Sequence, residues 1–432
     1  SFTVSAGALP AGLALNSSSG AISGTPSAAG SFSFTVLATD RSGRTGARAF
    51  TFAVTMPRSD PTRDPNVRGL VAAQPAAIRR FSGGQLASVG RRMESLHDRS
   101  PCQLMVGIEA FPASAPPTAN LGEPAILRGM IPSGDSPELS SRQGAHLSSP
   151  CAEAKRGQVA LTTWVSGTVR FGASGVAGGD TRFSGGTLTV GADGRFTDDL
   201  VIGGAVSYGT DRTSIDPGRT TSDAANLGLV IYGSYRLLPA WFIDGAMGYS
   251  QLRFHNVRFI SDSYGLAAGN RAGASWFGSL AVSTELKSGA FRLVPYLRAE
   301  FNNATLKNYS EQVGSQNLAL AYGDASDSSA SVIAGMRGSY DVFMNWGMLT
   351  PTARLEYRRS ISGDFIQRLS FADGAAPSYV LTQDLSRRDS VSVGLGMKAR
   401  MNGGVTIDGE YGFAAAAAAH QHSVRASIRT AF

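Results

Sequence analysis

The last nine residues of the chain alternate between two kinds of side chain. Counting back from the terminal Phe432, every second position to Val424 is apolar or threonine, while Arg429 and Arg425 lie between them. A period of two with apolar side chains on one face and arginines on the other predicts a β-strand between two different solvents. A soluble sandwich can contain one such strand, but the pattern recurs about a dozen times upstream, which favours a closed barrel in lipid.

Twelve strands are predicted from this alternation, and the connections between them differ in length. Those at 237–240, 287–290 and 401–404 are tight, whereas 304–327 and 361–387 are long and polar. Short turns at one rim and long loops at the other are typical of outer-membrane barrels, with a soluble antiparallel barrel as the alternative. The predicted strands lie near residues 160–172, 182–195, 199–210, 222–237, 240–255, 270–287, 290–303, 328–342, 347–360, 388–401, 404–414 and 421–432.

Two prolines, Pro295 and Pro351, fall in the middle of predicted strands. Proline has no backbone N–H to donate to a ladder, so each of them argues against a central strand. If these segments are strands of the barrel, we expect a bulge or a distorted ladder at both positions.

The apolar spacing changes at residues 71–97, before the predicted barrel. Apolar side chains from Ala77 to Leu96 recur at steps of three and four residues, which predicts an α-helix. Gly83 and Gly84 weaken its middle by up to about 1 kcal/mol each relative to alanine. The candidate functional residues on this helix are Arg79, Arg80, Arg91, Arg92 and Met93.

The remaining segments divide by their composition. Residues 1–56 alternate apolar and small polar positions in short runs separated by turn residues, which predicts several short antiparallel strands, as in part of a β-sandwich. Residues 57–70 are rich in proline and predict a linker. Residues 98–158 show little periodicity and predict a long loop segment, and residues 159–432 form the predicted barrel.

The two cysteines of the chain, Cys102 and Cys151, bracket the predicted loop segment. They fit an oxidising compartment and a candidate disulfide, with two unpaired thiols as the alternative. An even number of strands returns both barrel ends to the short-turn rim, so the pair is expected on the periplasmic side. Because Ser1 begins inside a predicted strand, we expect a longer protein whose secretory signal lies upstream.

Composition narrows the class of protein further. Of the 432 residues, 16% are charged, 52 are glycine and 42% are hydrophobic, yet no apolar run approaches the ~20 residues of a membrane-spanning helix. The net charge of +7 raises the question of nucleic acid, but no segment clusters basic side chains with aromatic rings that would stack on bases. The composition therefore suits a membrane barrel and argues against nucleic acid as a partner.

The N-terminal segment also resembles a known module. The run from Leu9 to Asp40, LPAGLALNSSSGAISGTPSAAGSFSFTVLATD, is similar to the Ig-like repeat family that is related to cadherin-like modules. The resemblance implies a partial Ig-like β-sandwich over residues 1–56. Asp40 stands without other calcium-ligand candidates in this run.

Residues 159–432 resemble the translocator β-domain of autotransporters, the type V secretion family of Gram-negative bacteria. The resemblance implies an all-β fold: a twelve-stranded antiparallel transmembrane β-barrel in the bacterial outer membrane, with a lumenal α-helix. The segments that carry it are WVSGTVRF (Trp164–Phe171), GGTLTVGADGRFTDDLVIGGAVSYG (Gly185–Gly209), LTPTARLEY (Leu349–Tyr357), the terminal aromatic, and, for the helix, QLASVGRRMESLHD (Gln85–Asp98).

In such a barrel the alternation places seven acids on the inner face. An ion pair shielded from bulk water is stronger than one at the surface, so we hypothesise that some of these acids pair with the four helix arginines. Arginines exposed at the periplasmic or extracellular side are the alternative. The lumen acids are Asp193, Asp244, Glu285, Glu300, Glu356, Asp408 and Glu410.

The resemblance also implies how the chain works in protein transport. Self-cleaving members of the family cut between two adjacent asparagines in the pore helix, but Ala87 and Ser88 occupy the matching positions here. We therefore predict that the N-terminal passenger stays attached and is displayed on the cell surface. The implied partners are outer-membrane lipid, the passenger, and the barrel assembly machinery, which is expected to read Phe432 as a sorting signal. The barrel is expected to be monomeric.

Three other functions compete with this one. The first is an enzyme, but the sequence has no G-x-S-x-G elbow and no dinucleotide-binding loop before a helix. No catalytic, cofactor or metal site is therefore predicted. For His420 and His422, which alternate on a strand, a solvated hairpin end is favoured over a metal pair. A passive outer-membrane porin shares the fold but leaves the Ig-like module and the helix unexplained. An adhesin, whose Ig-like part binds a surface ligand, is compatible with the translocator.

Overall fold

The computed structural model describes most of the chain, in two compact units, Ser1–Pro61 and Thr62–Phe432. Cys102, Cys151 and Phe432 lie outside the described residues, and so do the candidate disulfide and the sorting signal. The residues described are 1–27, 30–54, 58–97, 104–106, 161–176, 179–215, 219–261, 264–313, 318–374, 377–383, 389–402, 405–417 and 419–430.

The first unit is a small antiparallel β-structure, in agreement with the predicted partial Ig-like module. Its strands are β1 (Phe2–Gly7), β2 (Leu13–Leu15), β3 (Ile22–Gly24), β4 (Gly30–Thr39) and β5 (Thr45–Val54). Strands β1, β4 and β5 form one sheet in that order, and β2 pairs with β3. Phe34 is buried with its ring centroid 5.8 Å from that of Phe50 and 5.2 Å from that of Phe52. The carboxylate of Asp40 accepts from the amides of Ser42 and Arg44, so it closes the β4–β5 turn.

One long helix, α1 (Pro65–Leu96), precedes the barrel, after a short 3-10 helix at Pro61–Arg63. Asp64 caps α1 by accepting from the amide of Asn66 at 2.8 Å, and Pro65 fits the first turn, where no N–H is needed. The helix therefore begins earlier than the sequence predicted, and the end of the predicted linker 57–70 is helical. No helix in the described part of the chain is both long and apolar enough to cross a membrane.

Twelve long antiparallel strands of the second unit close into a barrel, which confirms the predicted fold class. These are β7–β12, β14, β17, β19 and β22–β24; each pairs with its neighbours in chain order, and β7 pairs with β24 to close the ring. The strands of this unit are β6 (Leu104–Val106), β7 (Leu161–Val176), β8 (Gly179–Arg195), β9 (Leu200–Ile215), β10 (Thr220–Leu238), β11 (Trp241–Ile260), β12 (Gly265–Thr284), β13 (Leu286–Ser288), β14 (Phe291–Leu306), β15 (Tyr309–Ser310), β16 (Leu320–Tyr322), β17 (Ala325–Tyr340), β18 (Val342–Met344), β19 (Gly347–Ser362), β20 (Phe365–Phe371), β21 (Tyr379–Gln383), β22 (Asp389–Met401), β23 (Val405–Ala416) and β24 (Ala419–Thr430).

The alternation predicted for the strands separates an apolar outer face from a small and polar inner face. On β10, Leu227, Leu229 and Ile231 point outward and are more than half exposed, while Val230 and Tyr232 between them are buried. Exposed apolar side chains are costly in water but not in hydrocarbon, so the outer face matches a lipid environment. Further outward-facing aromatic residues are Tyr208, Tyr235, Trp241, Tyr340, Trp346 and Tyr411.

Both mid-strand prolines lie where a ladder is interrupted, as expected. The pairing of β14 with β12 stops at Tyr296 and resumes through β13 at Leu293, so Pro295 falls in the gap. In the same way, the pairing of β19 with β17 stops at Thr352 and resumes through β18 at Leu349, which leaves Pro351 unpaired on that side. The absent N–H of each proline therefore costs no hydrogen bond.

The sequence suggested two long polar loops, at 304–327 and 361–387, but the structure shows that both contain β-strands. Their strands β15, β16, β20 and β21 form a separate four-stranded sheet. Apolar side chains on this sheet pack with the first half of α1 in one core, because short runs of alternation such as Phe365 to Phe371 supply a second apolar face. The principal members of this core, here called the outer cluster, are Val67, Val71, Ile78, Phe81, Leu320, Tyr322, Phe365 and Leu369.

Candidate functional site

Helix α1 runs through the lumen of the barrel from the long-loop rim to the short-turn rim. Near its start, Thr220 donates to the side-chain oxygen of Asn66 at 2.5 Å, and Thr220 begins β10 at the long-loop rim. Just beyond its end, His97 Nε2 lies 3.1 Å from Asp244 Oδ1, close to the short turn before β11. Its 32 residues span about 48 Å, which is enough to pass through the barrel.

All four arginines that the sequence singled out on the helix form ion pairs with acids of the barrel wall. In three of the pairs the shortest N–O distance is 2.6 to 2.7 Å, and in the fourth both carboxylate oxygens of Glu410 accept from Arg91. Paired hydrogen bonds from one guanidinium to one carboxylate fix direction as well as distance. The pairs are Arg79–Asp327, Arg80–Asp211, Arg91–Glu410 and Arg92–Asp193.

Asp211 and Asp327 were missing from the predicted lumen acids. The predicted strands ended at residue 210 and began at residue 328, whereas β9 extends to Ile215 and β17 starts at Ala325. Each aspartate therefore lay one residue outside a predicted strand. Extending the alternation by one residue at each of these strand ends would have placed both aspartates on the inner face.

The most enclosed pair is the one between Arg92 and Asp193. Arg92 donates through Nε and Nη2 to the two carboxylate oxygens at 2.7 and 2.8 Å, and the two side chains are 5% and 3% exposed. Tyr232 adds a hydrogen bond to Asp193 at 2.7 Å, and Trp164 donates in turn to the Tyr232 hydroxyl. Met93, the other singled-out residue, is buried beside this network in an apolar cluster with Val89, Phe277 and others.

The other predicted lumen acids pair within the barrel wall or with residues besides the helix arginines. Their partners are His97 for Asp244, Lys287 and Arg292 for Glu285, Arg298 and Arg358 for Glu300, Arg298, Arg354 and Tyr296 for Glu356, and Ser427 for Asp408. The alternation thus found acids of the inner face, but not their partners.

Glu94 is a helix residue that the sequence analysis missed. In its ion pairs the acid is on the helix and the arginines are on the barrel wall, the reverse of the four arginine pairs. Its carboxylate accepts from Arg354 at 2.7 Å and also from Arg337, both on the barrel wall. Glu94 lies one helical turn after Arg91, so both contact the wall formed by β17, β19 and β23. A search for inward-facing arginines as well as acids would have suggested an acidic partner on the helix.

Close packing joins the helix to the opposite wall. A Cβ added at Gly69 would lie 2.6 Å from Cγ2 of the buried Ile215 on β9, so the helix backbone approaches the strand directly. Gln85 donates to Ser250 at 3.1 Å, and Arg271 donates to Gln74 at 2.6 Å. These contacts hold the helix against β9–β12.

Polar contacts at the edge of the outer cluster also hold the start of the helix. Gln383 of β21 donates to the carbonyl of Arg68 at 2.8 Å. Glu311, which directly follows β15, accepts from Arg258 of β11 at 2.7 and 2.8 Å and from Tyr322 of β16 at 3.2 Å. Burial, together with the negative charge of Glu311, raises the pKa of Tyr322 well above its ordinary value, so this hydroxyl stays protonated and donates.

Two family models match this chain, one over the barrel and one over the N-terminal module. Residues 163–412 match the family model described as "Autotransporter beta-domain", which covers more than half of the chain. Residues 1–55 match the family model described as "Putative Ig domain".

A solved autotransporter translocator domain shares the barrel fold. The translocator domain of the autotransporter NalP from Neisseria meningitidis superposes with a TM-score of 0.53 at 14% identity, covering 64% of this chain and 90% of that one. The β-domain of the Bordetella autotransporter BrkA gives a TM-score of 0.47 at 17% identity, covering 62% of this chain and 98% of its own.

One curated protein is similar in sequence. Lipase 1 of Photorhabdus luminescens is 22% identical over 213 residues, which make up 48% of this chain and 32% of the lipase. The chain therefore spans about a third of the length of the curated relative that it matches.

Removing the carboxylate of the buried pair should be costly. We expect Asp193→Asn to lower the free energy of unfolding by about 3–5 kcal/mol, because Arg92 keeps its charge without a compensating partner. The control is Asp199→Asn, whose partner Arg236 is 3.6 Å away and whose side chain is half exposed, with an expected loss below about 1 kcal/mol. The temperature at which the compact band is lost on a semi-native gel measures both, and equal losses would contradict the role of the buried pair.

Close approach of the helix to β9 makes a second prediction. Gly69→Ala should destabilise the folded barrel by about 1–3 kcal/mol, because the added methyl overlaps Ile215. Gly90→Ala has open space around the new Cβ and should instead stabilise by about 0.4–1 kcal/mol through the unfolded state. The same gel assay reports both signs, and a stabilising Gly69→Ala would show that the helix does not press against this wall.

Proposed function

The chain belongs to the autotransporter family of outer-membrane proteins, and we propose that it anchors, exports and displays an N-terminal passenger that contains Ig-like modules. The observation that carries the proposal is the ion-paired helix α1 inside a closed barrel. Long loops face the outside of the cell in outer-membrane barrels, and α1 starts at that rim. A chain that precedes α1 therefore continues from the extracellular end of the lumen, and the Ig-like module of residues 1–55 is the segment that precedes it.

Outer-membrane lipid is the proposed environment of the apolar outer face, since the spanning strands expose leucine, isoleucine and valine there. Insertion by the barrel assembly machinery, with Phe432 as the sorting signal, is part of the same proposal. A single closed ring leaves no edge strand for a second barrel, which supports a monomer.

Export itself requires no bond to be made or broken by the barrel. The passenger would pass as an extended or hairpin chain, and its folding outside would bias the movement outward. The autotransporter translocator family is not enzymatic. The activity in the name of the Photorhabdus lipase belongs to that protein, and for this chain we propose translocation and anchoring without catalysis.

Retention of the passenger follows from the residues of α1. Ala87 and Ser88 occupy the place where self-cleaving relatives are cut, and neither has an amide side chain to attack the backbone. The four arginine pairs and the contacts of Glu94 then hold the uncut helix in the lumen, where charges that lose a partner are poorly solvated. The barrel and passenger would thus remain one covalent chain.

Surface display provides the direct test. In intact cells that express the chain with its passenger, added protease should remove residues 1–56 while the barrel remains protected. Mass spectrometry of untreated outer membranes should find the peptide across Ala87–Ser88 uncut. A protease-resistant N-terminal module in intact cells, or a terminus generated at Ser88, would contradict display of an attached passenger.

Occupation of the lumen by α1 should limit ion flow. Deleting residues 65–97 is expected to raise the single-channel conductance in planar bilayers several-fold, because the helix fills much of the bore. A second variant replaces Arg79, Arg80, Arg91 and Arg92 together by glutamine, keeps the chain length, and should show brief openings of similar size. Unchanged currents in folded samples of both variants would reject the plugging role.

A further inference from the structure

Helix α1 fills the lumen unevenly. Its close contacts lie on the β9–β12 side, such as the approach of Gly69 to Ile215. On the side of β14, β17, β19 and β22–β24 the helix reaches the wall mainly through long charged side chains. Cavities remain on that side and, near the long-loop rim, also beside β7–β9. Three such cavities measure 680, 430 and 220 Å³ and are here called the inner, middle and outer cavity.

The three cavities follow one another from rim to rim. The inner cavity includes Pro239 and Lys287 next to the short turns, and the outer cavity includes Ala416 and Ala419 of the β23–β24 hairpin at the other rim. The inner and middle cavities are both lined by Arg91, Glu94, Arg354, Glu410 and Arg425, and the middle and outer ones by Arg80, Ser390, Ala414 and Gln421. Within the described part of the chain, neighbouring cavities therefore share part of their walls, and the series from rim to rim is here called the path.

Basic side chains outnumber carboxylates in the lining of the inner and middle cavities, although Arg79 and Arg80 of the middle cavity are paired with Asp327 and Asp211. Among the described residues, the inner cavity is lined by nine arginine or lysine side chains and five carboxylates, and the middle cavity by eight and four. Among the described atoms, Nε of Arg400 and both Nε and Nη1 of Arg425 are buried without a hydrogen-bond partner. A narrow cleft with one sign of charge and low-dielectric walls concentrates small ions of the opposite sign.

Alanines form the outer mouth of the path. Ala72, Ala73 and Ala76 of the helix line the outer cavity opposite Ala414, Ala415 and Ala416 of β23. Side chains that stop at Cβ leave room between helix and wall, which gives the run of alanines before His420 a physical role. Alanine is a weak strand former, so strand formation does not explain this run.

We propose that the barrel, with its helix in place, conducts small inorganic anions such as chloride along this path. The inner and middle cavities meet at the level where two ion pairs, Arg91–Glu410 and Glu94–Arg354, join the helix to the wall. Pores lined by arginine and lysine select anions by the same electrostatics. Anion conduction goes beyond the proposed function, because anchoring and display do not need it.

The experiment measures reversal potentials of the full chain in planar bilayers under a tenfold KCl gradient. We expect chloride to be preferred over potassium on the order of tenfold at low salt. The preference should fall towards one near 1 M salt, where the screening length drops to about 3 Å. The double variant Arg400→Gln with Arg425→Gln should lower the preference at low salt. Arg253→Gln, the same change on the exposed outer face of β11, should leave it unchanged.

Each other result overturns the proposal. Absence of current in samples whose gel mobility shows a folded barrel would mean that the path is closed. Preference for potassium, or the same preference in the double variant as in the unchanged chain, would mean that these arginines do not set the selectivity. Protease accessibility of residues 1–56 is scored separately, in intact cells that express the same chain. A displayed but non-conducting protein therefore refutes the path alone, and a conducting protein without display refutes the display alone.

Discussion

A bilayer supplies no water to the backbone of a strand that crosses it, so every N–H and C=O there needs a partner in the neighbouring strand. The pairing of β7 with β24 closes the ring, and at the short-turn rim β6 pairs with both of them. The two prolines show how strict this requirement is, since each lies at an interruption of one ladder where no donor is required. Closure also creates the enclosed lumen in which the helix, its ion pairs and the cavities lie.

The helix depends on that lumen for its stability. Pro75, Gly83, Gly84 and Gly90 each weaken an isolated helix, and proline in a helix interior costs about 3 kcal/mol. Apolar packing in the outer cluster holds the first half of α1, and the pairs of Arg91, Arg92 and Glu94 hold the second half. Outside the barrel the same segment would have neither, so its order is a property of the assembled lumen.

Charge in the lumen has two effects that follow from the low local dielectric. A carboxylate facing a helix arginine stabilises one position of the helix, because breaking the pair leaves a poorly solvated charge. Around the inner and middle cavities, arginine and lysine side chains such as Arg400 and Arg425 outnumber the carboxylates, which favours a positive potential there. Anchoring of the helix and the charge of the remaining path therefore come from neighbouring charged side chains of the same lumen.

The sequence alone determined the features that depend on local periodicity. The period of two is a property of each strand, so the twelve strands, their outward faces and the inward position of Asp193 and Glu410 could be predicted, as could a helical segment with four arginines. Strand ends were less certain, which is why Asp211 and Asp327 were missed. Only the tertiary structure decided which arginine meets which acid, because that depends on the rotation and depth of α1 relative to all twelve strands. The same holds for the partners of Glu94, the sheet of β15, β16, β20 and β21, and the open side of the lumen, which arise from contacts between residues far apart in the chain.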